Sequence, residues 1–164
     1  VVFAMNFDGS DKLNISQHKV FSWTSRAFGR GLFFISDRDT CNRCFFLYET
    51  DAYGKNIKRI SGLQLEDSWM DSRNEGREMI VTGRINKHIR HQLFKIDTKT
   101  GDYIQLTNDT AAKYIDPAFS PDGKQVAFAY RRNKMDKAQH EEIFIMNIDV
   151  TGLRQLTRYP QNNN

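Results

Sequence analysis

A set of short features recurs along this chain in a fixed order, and that recurrence constrains its fold more than any composition figure. Ile15-Ser16, Ile60-Ser61, Leu106-Thr107 and Leu156-Thr157 stand 45, 46 and 50 residues apart. Ahead of each lies an apolar run ending in or near Asp, at residues 2–8, 46–51, 93–97 and 143–149, and each run is followed by Gly9, Gly54, Gly101 or Gly152. A second apolar run ending in Arg recurs at residues 33–38, 79–84 and 126–131, and an inner run recurs with Trp23, Trp69 and, less closely, Phe119. A period of about 40 to 50 residues with four strands per unit is the signature of a β-propeller blade.

The unit from 116 to 157 is the most regular. Val126, Phe128 and Tyr130 alternate with Ala127 and Ala129, the period of a strand. Residues 143–148 form a nearly continuous apolar run, which reads as a strand buried on at least one face. Ser120-Pro121-Asp122-Gly123 and Asp149-Val150-Thr151-Gly152 supply the turns: Pro presets φ, Asp bonds the backbone and Gly accepts positive φ. One such sheet has two apolar faces and needs neighbours of its own kind.

The Pro-Ala-Phe-Ser-Pro-Asp-Gly-Lys stretch at 117–124, the Ile-Phe-Ile-Met-Asn run at 143–147, the Gly turn and the closing Leu156-Thr157 resemble the repeat of the TolB-type, WD-like six-bladed propellers. The match weakens toward the N-terminus, where residues 25–29 and 72–76 replace the Ser-Pro-Asp-Gly turn. The resemblance implies an all-β propeller of antiparallel four-stranded blades. It also implies a periplasmic or otherwise exported protein of the bacterial cell envelope that binds protein or peptide. The same repeats occur in gating propellers of prolyl-oligopeptidase-like enzymes and in some polysaccharide lyases, so the resemblance speaks to architecture more than to activity.

The expected organisation is one partial propeller over residues 1–164. Residues 1–16 are the outer strands of a blade, 17–61, 62–107 and 108–157 are three full blades, and 158–164 begin another. Such a set does not close a ring, so the chain is expected to belong to a longer six- to eight-bladed propeller or to pair with a second copy that completes it. It opens at Val1 inside a strand with no charged leader, as in a mature or truncated chain. No run approaches the 18 apolar residues of a membrane span, and a formal net charge of +4 favours solubility over any particular partner.

Loops between second and third strands, and between blades, should share one rim. They include long connections at 39–44, 85–92 and 132–142, and long loops on a rigid scaffold are where binding usually resides. That rim gathers the candidate binding residues Arg43, Lys87, His88, Arg90, His91, Arg131 and Arg132. Cys41 and Cys44, with His88 and His91 one blade on, have the ligand types of a structural zinc site, but a Cys41–Cys44 disulfide is the preferred reading for an exported chain. Two free thiols are the third possibility. Phe45 after Cys44 rules out c-type haem attachment.

Arg38, Arg84 and Arg131 share one position and read first as scaffold, bonding carbonyls or a carboxylate of the next blade. Trp23 and Trp69 read as inner-strand core. Asp8, Asp51, Asp97 and Asp149 read as turn residues, and Asp37, Asp39 and Asp51 lack the pattern of an EF-hand. The rim carries few aromatics for base stacking, so nucleic acid is not the expected partner. No nucleophile elbow, His-Glu-x-x-His or phosphate-cradling Gly loop is present, and no cofactor is expected. The expected role is non-catalytic protein or peptide binding on the long-loop rim or in the central channel. The alternative is a gating propeller of a larger peptidase or polysaccharide lyase.

Overall fold

The computed structural model describes residues 1–17, 21–29, 31–39, 41–86, 88–89, 91–132 and 141–158, with Trp23 as backbone only. All regular elements among them are strands. A two-stranded hairpin, β1 (Phe3–Ala4) and β2 (Leu13–Asn14), comes first. β3 (Ser22–Phe28), β4 (Gly31–Ser36), β5 (Phe46–Asp51) and β6 (Lys58–Arg59) make a first antiparallel sheet in chain order. In the second sheet, β7 (Gln64–Leu65) and β8 (Asp71–Arg73) both pair with β9 (Glu78–Arg84), followed by β10 (Gln92–Asp97) and β11 (Tyr103–Gln105). β12 (Ala112–Phe119), β13 (Gln125–Arg132), β14 (Glu142–Asn147) and β15 (Arg154–Gln155) make the third. These are blades of a β-propeller.

The blades are held by cores between their faces. Phe33, Ile35 and Leu47 of the first sheet meet Leu65, Met79, Val81 and Phe94 of the second. On its opposite face the second sheet presents Ile80 and Leu93 to Tyr114, Val126, Phe128 and Met146 of the third. Strand alternation explains this: Met79 and Val81 point one way and Ile80 the other, and all three are fully buried. Each such side chain contributes roughly 1.5–3 kcal/mol of burial, offset in part by its ordering entropy.

The repeated Ile/Leu-Ser/Thr pair has a structural cause. Ile15, Ile60, Leu106 and Leu156 each donate a backbone N–H to the carbonyl of a residue at or near the start of the third strand, at 2.7–2.9 Å. In three of the four, the following hydroxyl accepts that same residue's own N–H: Val2 to Ser16 at 3.1 Å, Leu93 to Thr107 at 2.9 Å and Ile143 to Thr157 at 2.8 Å. In the remaining unit Ser61 instead donates to Gly101 O of the next blade at 2.9 Å. The turn aspartates act as expected, accepting N–H groups from Ser10, Tyr53, Lys99 and Thr151 at 2.9–3.0 Å.

Two expectations need correction. The run at 2–8 pairs over Phe3–Ala4 alone, and Phe7 is fully exposed at the turn. Trp69 is not core: it is 64% exposed, because the inner strand changes its facing just before it. The recurrent arginines also find partners within their own blades. Arg84 reaches Glu66 at 3.0 Å, Arg131 reaches Glu141 at 3.4 Å, and Arg38 lies over the Tyr48 ring at 5.7 Å.

Candidate functional site: the axial edge and the long-loop rim

The first strands of the three blades converge on one another, whereas the fourth strands, β6 and β15 among them, are exposed. The convergence is made by side chains. Thr24 Oγ1 reaches Ser68 O at 3.5 Å, Ser68 Oγ donates to Asp116 Oδ1 at 3.0 Å, and Asp116 N donates to Ser68 Oγ at 2.9 Å. Trp69 N adds a 3.1 Å bond to Asp116 Oδ1, and Thr82 Oγ1 donates to Tyr114 O at 3.2 Å. A polar seam thus runs along the axis from blade to blade.

At this level every inner strand departs from regular pairing. Register shifts between Trp23 and Ser25 in β3, and between Ile115 and Ala118 in β12, with Thr24 and Asp116 at φ of 43° and 54°. In the second blade the strand is interrupted outright between β7 and β8. Leu63 and Leu65 are buried at odd positions, and Met70 is buried in the same core at an even one. An extra residue between them reverses the facing of the downstream side chains, as a bulge does. Asp67 and Trp69 are therefore exposed, between buried Glu66, Ser68 and Met70.

The charges here are arranged in two layers. Glu66 is buried at 3% side-chain exposure, with Arg84 Nε 3.0 Å from one carboxylate oxygen and His91 Nε2 3.9 Å from the other. Asp67 lies outside that pair. Burial pushes its carboxyl above the usual range; Arg43 opposes the rise, while Glu66 and Asp116 add to it.

Arg43 reaches this region from the first blade. Cys41 and Cys44 are joined by a disulfide with Cα atoms 5.2 Å apart, and Cys44 N donates to Cys41 O at 2.9 Å. Arg43, at φ 61°, donates its N–H to Asp37 Oδ2 at 2.9 Å and is exposed. Two residues on, Phe45 pairs as a β-bridge with Leu65, with Leu65 N donating to Phe45 O at 2.8 Å. The disulfide loop is thereby tied to the segment that carries Glu66 and Asp67.

Other candidates are more dispersed. His88 is exposed, its N–H bonded to Asn86 Oδ1 at 2.8 Å; Arg131 is half-buried on Glu141, and Arg132 is exposed at the end of β13. Lys87 and Arg90 lie outside the described residues. Both cysteine sulfurs are committed to each other, and among the described residues no group of three His, Cys, Asp or Glu side chains is placed to hold a metal. Sequence reading missed Glu66, Asp67, Trp69 and Asp116. The signal was the change from odd to even apolar positions between Leu65 and Met70.

No family model matches the chain, and no curated protein matches it. Solved structures do. TolB from Acinetobacter baumannii is 16% identical, with a TM-score of 0.71 over 95% of this chain and 37% of that one. An oligogalacturonate lyase from Vibrio parahaemolyticus is 14% identical, with a TM-score of 0.67 over 97% of this chain and 46% of that one. A puromycin-hydrolyzing peptidase from Mycobacterium tuberculosis is 11% identical, with a TM-score of 0.64 over 90% of this chain and 26% of that one. The chain spans less than half the length of each. Likeness at this identity establishes the fold, that of the TolB-like propellers, and leaves activity to be argued from the site.

Proposed function

We propose that the chain is a non-catalytic protein- or peptide-binding module that works through its long-loop rim or central channel. The observation that carries this reading is Arg43: an exposed cation on a loop closed by a disulfide, pinned through its backbone to Asp37 and bridged to the next blade. A loop held this way loses little backbone freedom when a partner arrives. Exposed Arg132 extends the cationic rim and exposed His88 adds a polar side chain to it; Lys87, Arg90, His91 and Arg131 are assigned to it with them. Such a rim suits an acidic segment of a protein. The Cys41–Cys44 bond supports an exported, cell-envelope setting.

The test is binding of a fluorescein-labelled glutamate-rich peptide, read by anisotropy, to the chain and to Arg43→Glu and Arg132→Glu variants. Each variant should bind at least about tenfold more weakly, with the loss shrinking as salt rises. Unchanged affinity in both would remove the rim from consideration.

A second reading rests on the fold likeness to a lyase and a peptidase: the chain could serve as the gating propeller of a larger enzyme. A hydrolase or lyase domain in the continuing reading frame would favour it. Two copies completing one ring is a third arrangement, which light scattering would reveal as twice the mass of one chain.

A further inference from the structure

We infer that the axial edge of the second blade, around the exposed indole of Trp69, is a docking point for a basic side chain, arginine or lysine, of a peptide partner. The site is opposite in sign to the cationic rim and abuts it at Arg43, whose charge acts on Asp67; Trp69 and Asp116 are not rim residues, so variants there separate the two readings.

The first argument is presentation. Trp69 is 64% exposed, yet its neighbours Ser68 and Met70 are 7% and 0% exposed. Its backbone N–H is held by Asp116 Oδ1 at 3.1 Å, from a different sheet, and Ser68 Oγ is bonded to the same oxygen at 3.0 Å. A large aromatic ring is thus left in solvent on backbone fixed from both sides. Single exposed apolar side chains are common, so exposure alone assigns no role; what sets this ring apart is its fixed backbone beside two carboxylates.

The second argument is charge complementarity. Asp67 and Asp116 are exposed beside Trp69, and neither is the ion-pair partner of the half-buried Arg84. The chain as a whole is cationic at +4, so this is a local acidic field against a basic background. A guanidinium or ammonium over an indole face gains from the ring quadrupole, and flanking carboxylates add to that gain. An acidic or apolar side chain would gain nothing from the carboxylates. Arg43 lies on the Asp67 side and partly opposes the field, which gives the test a sign.

Two fluorescein-labelled hexapeptides serve as probes, one alternating arginine with glycine and one alternating glutamate with glycine. The chain should bind the arginine peptide saturably. Trp69→Ala should weaken that binding several-fold and leave the glutamate peptide unaffected; Asp67→Asn should also weaken it several-fold and, by relieving Arg43, leave glutamate-peptide binding equal or tighter. Trp69→Phe should restore part of the loss. Arg43→Ala should tighten the arginine peptide while weakening the glutamate one. Because the indole is exposed, thermal midpoints of the Trp69 variants should match the parent, so a loss of binding cannot be put down to unfolding. If the arginine peptide shows no saturable binding, or binds Trp69→Ala and Asp67→Asn as it binds the parent, the inference is overturned. If the Arg43 and Arg132 variants lose glutamate-peptide binding while the arginine peptide does not respond to Trp69→Ala or Asp67→Asn, the rim reading stands and this one falls.

Discussion

Asp67 is held in a conflict that its neighbours explain. Although the residue is exposed, partial burial of its carboxyl raises it above the ordinary range; Arg43 opposes this, and Glu66 and Asp116 add to it. For a carboxylate this means that the folded state binds the proton more readily than the unfolded chain. Stability is therefore lost as pH rises through the interval from the unfolded to the folded value, and the deficit persists at neutral pH. Asp67→Asn should accordingly raise the unfolding free energy at pH 7, read from urea titration, by no more than a few tenths of a kcal/mol because solvent screens the group, and should leave stability unchanged at pH 3. A drop in stability at pH 7 would show that the carboxylate is structurally required. Retaining a destabilising charge at an exposed axial position fits a binding role better than a scaffold one.

At the scale of the element, the blade-to-blade joint depends on a glycine. Gly101 sits at φ 80° in the turn from β10 to β11, and a Cβ there would run into the backbone carbonyl oxygen of Ile60 in the preceding blade. Gly54 repeats the arrangement one blade earlier, where a Cβ would lie 2.6 Å from Ile15 O. Gly101→Ala should therefore cost about 2 kcal/mol or more, lowering the thermal midpoint by several degrees. Gly62→Ala, where nothing lies within 4 Å, is the control and should be close to neutral. The sequence showed these glycines recurring four to six residues before the Ile-Ser and Leu-Thr pairs, but not that they pack against the preceding blade. The inner strand of the second blade was not legible, because a single extra residue inverts every later side chain and turns Trp69 from core to surface. Nor were the arginine partners: Arg84 and Glu66 are 18 positions apart, and only the folded sheet shows which carboxylate is in reach.

At the scale of the whole molecule, the short-turn rim carries ion pairs that set its response to acid. Hydrogen bonds from Arg77, at 3.0 Å to each oxygen of Asp97, hold that carboxyl below its ordinary value. Burial pushes Glu78 up, but Arg73 and Lys95 at 2.8 and 3.1 Å outweigh it and leave it lowered. Asp8, Asp122 and Asp149 are lowered by hydrogen bonds from Ser10, Ser120 and Thr151. Groups of this kind stabilise the fold above the unfolded carboxylate range, and the contribution is lost as pH falls through their lowered values. The unfolding free energy should therefore be level down to about pH 5 and fall steeply below about pH 4, as circular dichroism against urea at each pH would show. Asp97→Asn should flatten part of that slope; an unaltered slope would place the acid sensitivity elsewhere.

Strand β9 belongs to two hydrophobic interiors at once, Met79 and Val81 to one and Ile80 to the other. It works like the middle link of a chain under load. A blade that loosened would bare oily surface on its neighbour as well as on itself, so the arc should melt as a unit, and damage at this central link should be felt at both ends of it.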